Sequence, residues 1–169
     1  SQDLANRMIA LNWIPSNKCA VEDLPLVADI TPQTRIGNHP FRLLFVGSLI
    51  PTKGPHLLLE AIDGLDVEAH FYGPTPEFDG HPAWGEKLVA RIHKQANAVY
   101  GGVFNDQERS SIYSQADAIV LPSIWEENSP LVLREALAAG LQAIVSDRGG
   151  MAEIAPHAVQ FLAGSTSAL

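Results

Sequence analysis

From Phe41 onward, short apolar runs alternate with amphipathic stretches, and that alternation admits few folds. Residues 42–46, 67–72, 98–100, 117–121, 142–146 and 159–162 read as strands. Between them lie helical patterns. Gly54-Pro55 opens one that presents Leu57, Leu58, Ala61 and Ile62 on one side and stops at Gly64. Residues 84–95 form another, and Asp106 is placed to cap a helix running to Ser114. Ser129 and Pro130 form an N-cap and N1 pair for a helix over 130–139, closed by Gly140. Strand–helix alternation of this kind predicts an α/β fold: a Rossmann-like, doubly wound, largely parallel sheet with helices on both faces. Ligands of such sheets sit beyond the carboxyl ends of the strands. The informative loops are therefore 47–54, 73–84, 101–105, 122–130 and 147–153.

The first 40 residues read differently. Residues 2–12 form one short amphipathic helix, and Pro15, Pro25, Pro32 and Pro40 punctuate an irregular stretch over 15–40. The division is 1–40, a hinge or linker leaving a preceding domain, and 41–169, one globular unit. The absence of an initiator Met and of a signal-peptide pattern leads us to expect a fragment. With 11 Lys+Arg against 19 Asp+Glu, the net charge of -8 argues against general binding to nucleic acid or to anionic membranes. No apolar run reaches membrane-spanning length. The single Cys19 excludes an internal disulfide and predicts a reducing, cytoplasmic setting.

Two loop-to-helix segments carry candidate chemistry. In 47–54 (GSLIPTKG), Gly47 lets the backbone turn after a strand, and Lys53 sits where a helix begins. A cation there opposes the helix dipole unless an anion lies between them. A βα turn with a solvated lysine is the plain alternative. In 122–140 (PSIWEENSPLVLREALAAG), a helix apolar nearly all round should be buried, yet it holds Glu135. A buried carboxylate needs donors, which sugar hydroxyls or an arginine supply; Arg134 points about 100° away. Glu127 lies in the preceding turn, exposed to ligand or solvent. Asn128 and Ser129 bring backbone N–H groups to the same helix end. The eight-residue spacing of Glu127 and Glu135 recurs in Glu60 and Glu68, so spacing alone carries little.

Several chemistries lack their residues. The six histidines show no metal-ligand spacing, and no D-x-D triplet occurs, so neither a metal nor another cofactor is expected. There is no Walker A, G-x-G-x-x-G or G-x-S-x-G run. Trp13, Trp84 and Trp125 read as packing residues. Gly149-Gly150 reads as a tight turn or a close backbone approach to a ligand.

Taken together, FVGSLIPTKG, YSQADAIVLPSIWEENSPLVLREALAAG and VSDRGGMAE resemble, in order and spacing, the C-terminal domain of family 4 glycosyltransferases. These are retaining enzymes of two-domain GT-B architecture that use nucleotide-sugar donors. The resemblance runs from about Phe41 to the end, stopping before the family's closing helices, and implies a missing N-terminal acceptor domain. It implies a hexosyl transferase whose donor is a nucleotide-diphosphate sugar, with the isolated piece inactive. Within the Gly47-Ser48 turn and its sequel, Lys53 would contact the diphosphate. Glu127 would be the catalytic acid residue that binds the transferred sugar, and Glu135 would bind ribose. The N–H groups of Leu131 and Val132, beside Asn128 and Ser129, would hold phosphate oxygens. Gly102, Val103 and Phe104 would lie against the base. The sequence departs from the family pattern twice: Ser48 stands where many members carry Arg, and Asn128-Ser129-Pro130 where many carry Gly-Phe-Gly. A non-catalytic nucleotide-binding module is the first alternative. A dinucleotide-dependent oxidoreductase domain, lacking its glycine fingerprint, is the second.

Overall fold

The computed structural model describes residues 1–22, 24–25, 30, 32 and 40–169. Half of the expected linker at 15–40 lies outside the described residues; among those described, Ser16–Lys18 forms one 3₁₀ turn. The strands are β1 Phe41–Val46, β2 Val67–Tyr72, β3 Ala98–Gly102, β4 Ala118–Leu121, β5 Gln142–Ser146 and β6 Val159–Phe161. The helices are α1 Gln2–Ala10, α2 Pro55–Ala61, α3 Trp84–Ile92, α4 Asp106–Ser114, α5 Leu131–Ala138 and α6 Met151–Ile154.

All neighbouring strands pair in parallel, in the order β3-β2-β1-β4-β5-β6. The chain winds outward from β1 to β3, then crosses back to β4 and winds the other way. Right-handed crossovers therefore send α2 and α3 to one face and α4, α5 and α6 to the other. Strand alternation separates the core in the same way. Leu43, Phe45, Ala118 and Val120 pack with Leu58, Ile62, Leu88 and Ile92. Leu44, Ile119 and Leu121 pack with Tyr113, Leu133, Ala136 and Met151. The doubly wound sheet expected from the sequence is present.

Three local expectations are corrected. Asn105, not Asp106, caps α4; its side chain accepts from the N–H groups of Gln107 and Glu108, and Glu108 reciprocates to the Asn105 N–H. α5 starts at Leu131, because Pro130 keeps an extended ψ of 117° and takes the N-cap position itself, so Ser129 does not cap it. Nor is α5 buried all round. Leu133 and Ala136 face the core, whereas Leu131 and Leu137 are 49% and 37% exposed. Only the stripe that meets β4 and β5 needs to be apolar for packing.

α1 is docked on the sheet domain. The Glu153 carboxylate accepts from the backbone N–H groups of Gln2 (2.7 Å) and Asp3 (2.6 Å), at the free donor end of α1. Arg7 of α1 reaches Glu126 at 3.2 Å. The loop bearing Glu126 and the helix α6 bearing Glu153 are thereby joined through α1.

At the opposite end of the sheet, Glu68 on β2 accepts from Arg42 on β1 at 2.7 Å and lies 3.0 Å from His70. Burial opposes ionisation of Glu68, but the adjacent His70 and the hydrogen-bonded Arg42 outweigh it and hold its carboxyl below the usual range. A carboxyl whose folded pKa is lowered stabilises above its unfolded pKa, about 4.3, and loses that contribution as pH falls through the folded value. Glu68→Gln should therefore unfold at lower denaturant than wild type at pH 7. The gap should close as both are titrated below about pH 4. A gap that widens in acid would contradict this assignment.

Candidate functional site

β1 and β4 are neighbours at which the winding direction reverses, so the loops leaving their carboxyl ends diverge and open a crevice. A cavity of about 250 Å³ occupies it, lined by Gly47, Ser48 and Lys53 from the first loop and by Ser123, Glu127, Leu131 and Val132 from the second. Leu131 and Val132 open α5, so their N–H groups have no helical acceptor. They bring the positive end of the helix dipole to the cavity wall.

Glu127 is not the exposed loop carboxylate expected from the sequence. Its side chain is 9% exposed, and its Oε1 accepts from Lys53 Nζ at 2.6 Å and from Ser123 Oγ at 2.8 Å. Oε2 has no protein donor among the described residues. The loop is held from behind: the Gly150 N–H donates to the Glu127 carbonyl at 2.7 Å, and Ser146 Oγ donates to the Ser123 carbonyl at 2.5 Å. Gly149 has φ +65°, and a Cβ there would lie 2.0 Å from the Glu127 carbonyl oxygen. The Gly149-Gly150 pair therefore serves a close approach between two protein backbones that supports Glu127. Lys53 is 36% exposed and ion-paired, a state that neither expected reading described. Its charge faces an anion, and in this structure that anion is Glu127.

Glu135 lies apart from this cavity's lining. Tyr113 Oη donates to its Oε2 at 2.8 Å, and Arg109 approaches Oε1 at 3.4 Å. Burial and the Glu135 carboxylate push the Tyr113 hydroxyl far above the ordinary tyrosine range, so it stays a donor. The buried charge on α5 is thus matched by two residues of α4. Sequence reading missed both, although Arg109 and Tyr113 are four apart and share one helix face. Ser123 was missed too, though it lies four residues before Glu127 in the same loop.

Of the remaining expected site residues, Asn128 lines a second cavity beside Lys53 and Glu127. Ser129 accepts from Arg134 Nε at 3.4 Å. Gly102 ends β3, Val103 is exposed, and Phe104 meets the Tyr72 ring edge-on at 5.8 Å; none of the three lines either cavity. Trp84 packs as expected, edge-on to His56 at 5.5 Å. Trp13 and Trp125 do not pack: they are 70% and 63% exposed. Among the described residues, no three His, Cys, Asp or Glu side chains gather as a metal site, and no helix is long and apolar enough to cross a membrane.

Comparison with known proteins agrees with this architecture. The chain is 30% identical over 136 residues to spore coat protein SA of Bacillus subtilis strain 168, covering 72% of this chain and 34% of that protein. It is 28% identical over 153 residues to lipopolysaccharide 1,2-N-acetylglucosaminetransferase of Salmonella typhimurium, covering 85% of this chain and 40% of that one. The chain thus spans about a third of the length of the curated relatives it matches. Among solved structures, a glycosyltransferase from Rickettsia africae superposes with a TM-score of 0.78 at 17% identity, covering 99% of this chain and 49% of that one. Anabaena Alr3699/HepE in complex with UDP and glucose superposes at 0.67 with 20% identity, covering 76% and 36%. Both share the Rossmann-like fold of GT-B glycosyltransferases. The sequence profile described as Glycosyl transferases group 1 matches residues 28–168, and the chain belongs to that family.

Proposed function

We propose that this chain is the donor-binding, C-terminal half of a family 4 retaining glycosyltransferase. It would bind a nucleotide-diphosphate sugar and, with a preceding acceptor domain, transfer a hexosyl group. The observation that carries this reading is the meeting of Lys53, Glu127 and the first N–H groups of α5 around one cavity at the switch point. Leaving-group departure puts negative charge on a diphosphate and positive charge on the sugar's anomeric carbon. Lys53 and the N–H groups of Leu131 and Val132 would stabilise the first. The Glu127 carboxylate, released from Lys53 as the phosphate takes the ammonium, would face the second and accept from sugar hydroxyls. Ser123 would hold Glu127 in place throughout.

The absence of Arg at position 48 leaves Lys53 and the α5 terminus as the phosphate contacts. Glu135, set by Tyr113 and Arg109, would accept from ribose hydroxyls, and the Gly102–Phe104 turn would flank the base. A cytoplasmic location fits the lone Cys19. No metal is invoked, because backbone N–H groups and a lysine supply the positive potential.

Titration of the chain with UDP, GDP and ADP by calorimetry tests the reading. One of them should bind, and its affinity should be unchanged in excess EDTA. Binding of none, or binding only with added Mg²⁺ or Mn²⁺, would contradict it.

A further inference from the structure

We propose that Trp125 and Phe78 form a platform for a sugar ring in a second cavity that adjoins the phosphate cavity at the Lys53–Glu127 pair. The second cavity, of about 500 Å³, is lined by Thr52, Lys53, Phe78, Trp125, Glu126, Glu127 and Asn128. It shares Lys53 and Glu127 with the first cavity, so a ligand occupying both would pass the pair. The Trp125 indole is 63% exposed and meets no other aromatic ring among the described residues, so core packing does not explain it.

Its backbone is nevertheless held. The N–H groups of Ile124 and Trp125 both donate to the Thr52 carbonyl, at 2.9 and 3.3 Å, and the loop continues into the Glu127 carbonyl bonded by Gly150. A large aromatic surface on a fixed backbone loses little entropy when it is covered. Around it stand two carboxylates, an amide and a hydroxyl. A sugar ring offers the matching chemistry, a face of C–H groups and a rim of hydroxyls. Glu126 is paired with Arg7 and Glu127 Oε1 with Lys53 and Ser123, but Glu127 Oε2 has no donor among the described residues; a sugar hydroxyl would supply one and an apolar protein segment would not.

This inference rests on the donor-site reading above. The ring belongs either to the transferred sugar or to a saccharide acceptor, and the test separates the two. Calorimetry with a bare nucleoside diphosphate, its sugar derivatives (glucose, galactose, N-acetylglucosamine) and methyl glycosides would be run on wild type, Trp125→Ala and Trp125→Phe. Trp125→Ala should reduce sugar-dependent affinity about 3- to 10-fold, Trp125→Phe should retain most of it, and the bare diphosphate should bind all three alike. A loss seen with the nucleotide sugar identifies the transferred sugar. A loss seen only for a methyl glycoside added to nucleotide-saturated protein identifies the acceptor. If the diphosphate binds but no sugar's affinity depends on Trp125, the platform is refuted and the donor-site reading stands. An equal loss for the bare diphosphate would make Trp125 a base contact and also refute it. Failure of every diphosphate to bind wild type overturns the donor-site reading and this inference with it.

Discussion

Lys53→Met and Glu127→Gln should move nucleoside-diphosphate affinity in opposite directions. The two side chains are paired at 2.6 Å, so an incoming phosphate competes with Glu127 for the same ammonium. Removing the lysine deletes a charged hydrogen bond worth about 1.5–3 kcal/mol, a loss of roughly 10- to 100-fold in affinity. Neutralising Glu127 removes the competitor and its negative charge, so the bare diphosphate should bind a few-fold tighter.

Sugar transfer by a chain with its acceptor domain should fall in both variants, because each removes a contact the transition state needs. Stability should separate them as well. Lys53→Met leaves a 9%-exposed carboxylate with only Ser123 as partner, at a cost of about 1–3 kcal/mol. Glu127→Gln leaves a lysine that is 36% exposed and free to hydrate. Calorimetry and urea unfolding on the pair decide the matter. If both variants weaken the diphosphate equally, Glu127 contacts the phosphate side and the proposed division of roles fails.

Gly149→Ala should be among the most damaging small substitutions in the chain. Its φ of +65° costs a side chain about 1–2 kcal/mol, and its Cβ would overlap the Glu127 carbonyl oxygen at 2.0 Å. Backbone lies on both sides of that overlap, so one loop must move, and the total should reach about 3 kcal/mol or more. Gly64→Ala provides the control: φ is +73°, nothing lies within 4 Å, and only the conformational cost of about 1 kcal/mol remains. Urea unfolding compares the two stabilities. Titration with a nucleotide sugar under folding conditions should show loss of the sugar's contribution to affinity for Gly149→Ala alone, since Glu127 is displaced with its backbone. Equal stabilities for the two variants would mean that the 149–150 turn does not support the site.

The sequence by itself determined the parallel α/β sheet, most element boundaries and the two loops that form the crevice. Periodicity along the chain is a local property: Leu43 and Phe45 alternate with Leu44, and Gly54-Pro55 and Gly140 bound their helices in the sequence as in the fold. The motif register also pointed to Lys53 and Glu127 as site residues. What each of them touches was decided by tertiary structure. Glu127 reads as solvated in its loop, because nothing near it in sequence is a cation. It is paired because Lys53, 74 residues earlier, descends from the neighbouring strand. Glu135 lacked a partner on its own helix and found two on α4, 22 and 26 positions earlier. The Gly149-Gly150 turn and the docking of α1 through Glu153 likewise join segments distant in the chain. Electrostatic pairing and steric approach depend on distances of a few ångströms, and in a parallel sheet those distances are set by strand order, which the local pattern does not encode.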